Sequence, residues 1–126
     1  MPATRVLIID DEPRIIEILE AFLEMEGYSV ISASNGKQAL RKLGNSSSVD
    51  LVIVDEKMPV MNGTEFLRRL RAVDPDLPVI VLTGSLNAKE IKELDRELYQ
   101  HIMVKPVRLS ELSGVVRMSL GKNPRG

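Results

Sequence analysis

Asp10, Asp11 and Glu12 stand together behind a β-branched apolar run, and Asp55 stands behind a second such run. Thr83-Gly84 follows a third run and Lys105-Pro106 a fourth. Carboxylates drawn into one site repel one another and need a counter-charge, which a hard divalent cation with oxygen ligands supplies. Magnesium keeps several waters and often shares its site with phosphate oxygens. A lysine adds a second positive charge, and a threonine hydroxyl adds a donor. These residue types suit phosphoryl chemistry, with an acidic nucleophile facing an in-line phosphoryl group whose oxygens are neutralised by metal, lysine and hydroxyl. Singly, each has a plainer reading. Acidic residues favour first helical turns, a lone Asp after a strand is a common turn residue, Thr-Gly is ordinary loop chemistry, and most lysines are solvated. The joint occurrence, each at a different strand end, carries the weight.

The elements needed to position these residues follow from hydrophobic periodicity. Val6–Ile9, Tyr28–Ala33, Leu51–Val54, Val79–Leu82 and Ile102–Val104 read as strands, the second more polar and so nearer a sheet edge. Between them lie helical patterns. The first has Pro13 in its opening turn, Ile15, Leu19, Phe22 and Leu23 on one face, and Gly27 at its end. The second is Lys37–Leu43, followed by a loop over Gly44–Ser48. Asn62 is placed to cap a third, carrying Phe66, Leu67, Leu70 and Val73. Ala88–Leu98 is a charged fourth, with Ile91, Leu94 and Leu98 on one side, and Leu109–Leu120 is the last, with Leu112, Val115 and Val116 inward. Strict alternation of five strands and five helices predicts an α/β fold, a doubly wound parallel sheet of flavodoxin-like type. Continuous apolar strands support burial on both faces. In such sheets the ligand crevice lies outside the carboxyl ends of the strands, and the order 2-1-3-4-5 puts the switch point between strands one and three, which carry Asp10, Asp11 and Asp55.

Composition narrows the function classes. The 126 residues suit one domain, read as residues 1–120 with 121–126 as a flexible tail or the start of a linker. Met1 reads as a natural start, and the other end as either an end or the point where a longer chain continues. Hydrophobic residues make up 44% and aromatic ones 3%, so the core is built of Ile, Leu, Val and Met. A net charge of −1 lacks the basic footprint of a nucleic-acid binder. With no cysteine there is neither disulfide nor thiolate metal site. No apolar run is long enough to span a membrane, and no secretory leader is visible, so a cytoplasmic location is expected.

Four pieces of the chain resemble bacterial response-regulator receiver domains, including the stand-alone chemotaxis type, over nearly its whole length. They are Val6-Leu7-Ile8-Ile9-Asp10-Asp11-Glu12-Pro13, Asp55-Glu56-Lys57-Met58-Pro59-Val60-Met61-Asn62-Gly63, Val79-Ile80-Val81-Leu82-Thr83-Gly84 and Val104-Lys105-Pro106. The second is close to the family's D-x-x-M-P-x-M-[DN]-G signature, which is specific when the other pieces accompany it in order. The resemblance implies that Asp55 is the phosphoacceptor of a two-component phosphorelay. It implies that Asp11 and Asp55 ligate Mg2+ directly, that Asp10 acts through a water, and that the Lys57 backbone carbonyl is a further ligand. Thr83 and Lys105 would contact phosphoryl oxygens, and the Lys105-Pro106 bond would be cis. A histidine kinase or histidine phosphotransfer protein would be the donor. A downstream effector domain or protein would read the output, and a homodimer formed on phosphorylation is a further partner that the family suggests, with Glu93, Arg96 and Arg117 as candidates for its interface. Such a domain is a signalling switch rather than a conventional enzyme, catalysing only its own phosphorylation and dephosphorylation.

The chain also departs from the family. The aromatic residue three before the lysine is here Ile102, with His101 expected on the opposite side of the strand. Leu98-Tyr99-Gln100-His101 replaces the usual Gly-Ala pair. These departures put the standard output surface in doubt and leave the phosphorylation site intact. His101 reads as a strand-end residue, Tyr99 as helix-end packing, and Met58 and Met61 as packing. Lys57 either tunes water access to the site or is solvated. Three alternatives compete. A pseudo-receiver would use the fold as an interaction module without phosphorylation, but typically lacks one of the acidic, Thr or Lys residues present here. A hydrolase of the haloacid-dehalogenase type needs a second Asp where Lys57 stands. A flavin-binding relative would want a phosphate loop where Asp10-Asp11-Glu12 stand.

Overall fold

Five apolar runs become five parallel strands in the order β2-β1-β3-β4-β5 in the computed structural model, which describes residues 4–45, 48–58, 60–87, 89–92 and 94–121. The strands are β1 (Arg5–Ile9), β2 (Ser29–Ala33), β3 (Leu51–Asp55), β4 (Val79–Thr83) and β5 (His101–Val104). The polar β2 is indeed at an edge. Every side chain of β3 and β4 is buried, as expected of central strands covered on both faces.

Side-chain alternation divides the core into two layers. Leu7, Ile9, Val52, Val54, Val79 and Val81 pack on one face against Ala39 of α2 (Gly36–Asn45) and Phe66, Leu67 and Leu70 of α3 (Gly63–Val73). Val6, Ile8, Leu51, Ile53, Ile80 and Leu82 pack on the other against Leu19 and Leu23 of α1 (Pro13–Met25) and Leu112 and Val116 of α5 (Leu109–Gly121). Helices thus cover both faces, as the doubly wound reading requires.

Local signals set most helix ends. Pro13 opens α1, and Gly27 closes it at φ +97°, with the Tyr28 amide bonded to the Leu23 carbonyl and the Gly27 amide to the Glu24 carbonyl. Asn62 caps α3, its side chain accepting from the Glu65 amide at 2.9 Å. The second helix runs through Gly44, where a loop was expected. Gly121, expected to begin a tail or linker over 121–126, is helical as part of α5, and residues 122–126 lie outside the described residues.

The expected helix over Ala88–Leu98 is corrected. Its core is a single turn, α4 (Lys89–Lys92), followed by a 3-10 turn at Arg96–Leu98. Asp95 starts that turn by accepting from the Glu97 amide at 2.9 Å, a local bond that competes with helix continuation. Ile91 and Leu94 are buried and Leu98 packs against the same layer, so the apolar spacing is satisfied without an unbroken helix. Arg71 holds this arrangement from α3, donating to the carbonyls of Leu98 at 3.2 Å and Asp74 at 3.1 Å. Glu93, a candidate interface residue, lies outside the described residues. Arg96 is exposed, while Arg117 donates to the Ser113 hydroxyl within its own domain. No described helix is long and apolar enough to cross a membrane.

Candidate functional site

The carboxyl ends of the strands bring the expected residues to one edge. Strand alternation places Asp10 after β1, Asp55 in β3 and Lys105 after β5 in phase with the α1/α5 layer. Carboxylate oxygens of Asp10, Asp11 and Asp55 lie within 4.8 Å of one another. Asp10 and Asp55 are buried, and Asp11 is exposed. The Lys105 ammonium reaches in between them, 3.0 Å from Asp55 Oδ2 and 3.7 Å from Asp10 Oδ2. The Lys105-Pro106 bond that ends β5 is cis, and the Lys105 amide donates to the Thr83 carbonyl at 2.7 Å.

The electrostatics of the group are unbalanced. Asp10 Oδ1 accepts from the Glu12 amide at 2.9 Å, but Asp10 Oδ2 is buried without any hydrogen bond. Burial raises the Asp10 carboxyl above its ordinary value, and the charges of Asp55 and Asp11 add to this against the Glu12 amide and Lys105. Lys105 shows the complement. Burial pulls its ammonium down, but the hydrogen bond to Asp55 and the charges of Asp55, Asp10 and Glu12 outweigh that and raise it. One ammonium therefore serves two buried carboxylates, and Asp10 Oδ2 is left without a hydrogen bond in a cluster of three carboxylates. A hard cation with oxygen ligands fits that donor set.

Thr83 occupies its expected strand end but belongs to the opposite layer, in phase with Val79 and Val81. Fully buried, its hydroxyl engages Glu56 Oε1 at 3.3 Å and both the amide and the carbonyl of Ser85, at 3.2 and 3.1 Å. Lys57 turns its side chain outward while its amide donates to Asp55 Oδ1 at 3.3 Å. The segment after Asp55 is anchored by the buried Met58 and Met61, both packing residues as expected. Between them and α3, Gly63 lies so close that a Cβ there would meet Glu56 Cα at 3.0 Å. Sequence reasoning quoted Glu56 and Gly63 inside a motif and assigned them no role. The alternation of β3 and the close approach of α3 supply one for each. An open cleft of about 470 Å³ remains, lined by Asp11, Asp55, Glu56, Lys57, Ser85 and Lys105 among others.

A five-stranded parallel sheet whose strand ends gather acidic residues and a lysine paired with them defines a class of doubly wound α/β domains with a ligand crevice at the strand ends. The response regulator receiver domain family matches residues 6–117, and the chain belongs to that family. A characterised relative is the transcriptional regulatory protein GlrR of Escherichia coli K12, 35% identical over 102 residues, covering 81% of this chain and 23% of that protein. A receiver domain from Clostridium thermocellum superposes with a TM-score of 0.86 at 32% identity, covering 94% of this chain and 95% of its own. The response regulator TrrA of Thermotoga maritima, solved in complex with Mg2+-BeF, gives 0.83 at 35% identity, covering 93% and 99%. The chain spans between 14% and 54% of the length of curated relatives it matches.

In β5, Ile102 packs against the α2/α3 layer and Met103 against the α1/α5 layer, so the aliphatic residue at the position expected to be aromatic is held in the sheet. Tyr99 packs against the same layer as Ile102, in keeping with its reading as a packing residue.

Proposed function

We propose that the chain is the phosphoacceptor receiver of a two-component phosphorelay, with Asp55 taking the phosphoryl group in the presence of Mg2+. The observation that carries this is the orphaned, buried Asp10 Oδ2 among carboxylates that share a single ammonium. Asp10, Asp11 and Asp55, with the Lys57 backbone carbonyl, would hold the cation. When bound, magnesium neutralises phosphoryl oxygens and positions them in line. The relative TrrA, with Mg2+-BeF bound, supports the same reading.

A carboxylate oxygen of Asp55 attacks phosphorus in line. The new P–O bond forms as the P–N bond to a donor histidine breaks, and the leaving imidazole nitrogen keeps the electron pair. Lys105 exchanges its bond to Asp55 Oδ2 for one to a phosphoryl oxygen, keeping a positive charge where negative charge develops. Thr83 donates its hydroxyl to another. Hydrolysis reverses the gain, as water adds to phosphorus and the Asp55 carboxylate leaves. The added charge biases a two-state surface around Thr83 and β5, and a downstream effector domain or protein reads it in the cytoplasm.

The test is intact mass after incubation with acetyl phosphate and magnesium. One added phosphoryl group, labile to hydroxylamine and absent in Asp55→Asn and with chelator, is the expected result. No gain, and no beryllofluoride-induced change in amide spectra, would instead leave a phosphorylation-independent interaction module.

A further inference from the structure

Glu56 sits where the sheet still dictates side-chain direction. Its amide donates to the Leu82 carbonyl at 2.9 Å, so the register that pairs Asp55 with Leu82 sets Glu56 beside Thr83. Alternation turns both toward the α2/α3 layer, away from the layer in phase with Asp10, Asp55 and Lys105. There the two side chains meet, Thr83 Oγ1 donating to Glu56 Oε1 at 3.3 Å. The Ser85 carbonyl, at 3.1 Å, competes for the same proton, because a hydroxyl has only one to give. The carboxylate is the stronger acceptor of the two.

We propose that Glu56 is a positioning residue that restrains the switch. Its carboxylate holds the Thr83 hydroxyl on the face away from Asp55, and that bond must break before Thr83 can donate to a phosphoryl group. This rests on the reading of Asp55 as phosphoacceptor. Any ligand that needs the Thr83 hydroxyl at Asp55 binds more weakly by the share of the population that Glu56 retains. The negative charge of Glu56, lining the same cleft as Asp55, acts in the same direction on an anionic ligand. The two effects are separable, since only the first requires Thr83.

The experiment is a titration with beryllofluoride at saturating magnesium, followed by amide spectra, on the wild type, Glu56→Ala, Glu56→Gln, Thr83→Ala and the two double variants. Glu56→Ala should tighten binding by roughly three- to tenfold, the scale of losing one partly exposed charge-assisted bond in the competing state. Glu56→Gln, which keeps the volume and an acceptor, should fall between Glu56→Ala and the wild type, and it serves in its place if the alanine variant fails to fold. Most of the gain must disappear in the Thr83→Ala background, the coupling a double-mutant cycle reads. Without metal or beryllofluoride, the Thr83 methyl resonance should also shift on Glu56→Gln. Equal tightening with and without the Thr83 hydroxyl would overturn the restraint and leave charge alone. Unchanged affinity in both Glu56 variants would overturn it too, while the wild type still binding would keep the receiver reading. Failure of the wild type to bind beryllofluoride would remove that reading, and the proposal with it.

Discussion

Replacing Asp10 by asparagine should make the metal-free protein more stable. Asp10 is 1% exposed, and its Oδ2 has no hydrogen bond. Its nearest cation, Lys105 at 3.7 Å, is closer to Asp55, at 3.0 Å. With an effective dielectric of about 20, the Lys105 attraction is about 4.5 kcal/mol and the repulsion from one carboxylate within 4.8 Å at least about 3.5 kcal/mol. Solvent screens the exposed Asp11. Attraction and repulsion therefore nearly cancel, and the desolvation of the Asp10 charge is offset only in part, by the Glu12 amide. Asparagine keeps the shape and the acceptor for the Glu12 amide and removes the charge. The expected gain in chelator near neutral pH is about 1–2 kcal/mol, or roughly 3–8 °C in Tm for a domain of this size. The pH dependence has a definite sign. Because the folded-state value of Asp10 lies above the ordinary 3.8, stability is fully present below 3.8 and lost as pH rises through the raised value. The advantage of the variant should therefore shrink on acidification. Magnesium should reverse the order, stabilising the wild type by mass action and the variant less. The assay is thermal unfolding followed by circular dichroism, in chelator and in millimolar magnesium, at several pH values. An asparagine variant less stable than wild type in chelator would refute the reasoning, because it would mean that Lys105 already compensates Asp10.

Two further outcomes follow from the geometry around this site. Gly63→Ala brings a Cβ to 3.0 Å of Glu56 Cα, a backbone atom that cannot swing aside, and should destabilise by about 1–3 kcal/mol in denaturant unfolding. Its amide-spectrum changes should centre on Asp55–Lys57, not on the far end of α3. Lys105→Met should lower metal-free stability near neutral pH by about 1 kcal/mol, since Asp55 loses its partner at 3.0 Å. Lys105 is raised above the ordinary 10.5, so its contribution holds below that value and is lost only as pH rises through the raised one. On the alkaline side, wild type and variant should therefore converge only as pH passes the raised value, which a pH series of unfolding midpoints would show.

Much of the architecture was legible because it rests on local signals. Apolar runs of strand length, Pro13 at a first turn, Gly27 past a last turn and Asn62 at a cap each act within a few residues of themselves. The rule that ligand sites lie at strand carboxyl ends is a rule of topology, and it placed Asp10, Asp55, Thr83 and Lys105 on one edge once the strands were taken as parallel. The segment after β4 was misread for the same reason that the others were read well. Ile91, Leu94 and Leu98 have helical spacing, but the core can receive them from a single turn and a 3-10 turn, and the Asp95 side chain offers the backbone another bond.

The sequence by itself determined which residues stand at the strand ends and the kind of chemistry they suit. Only the tertiary structure decided which of them touch. The register of β3 against β4 is set by two packed layers at once, and one step of slip would exchange every inward and outward side chain. That register puts Glu56 against Thr83. The matching alternation of β1, β3 and β5 puts Lys105 between Asp10 and Asp55. Pairing between distant strands has no local sequence signal, because it is fixed by the burial of both faces of the sheet together.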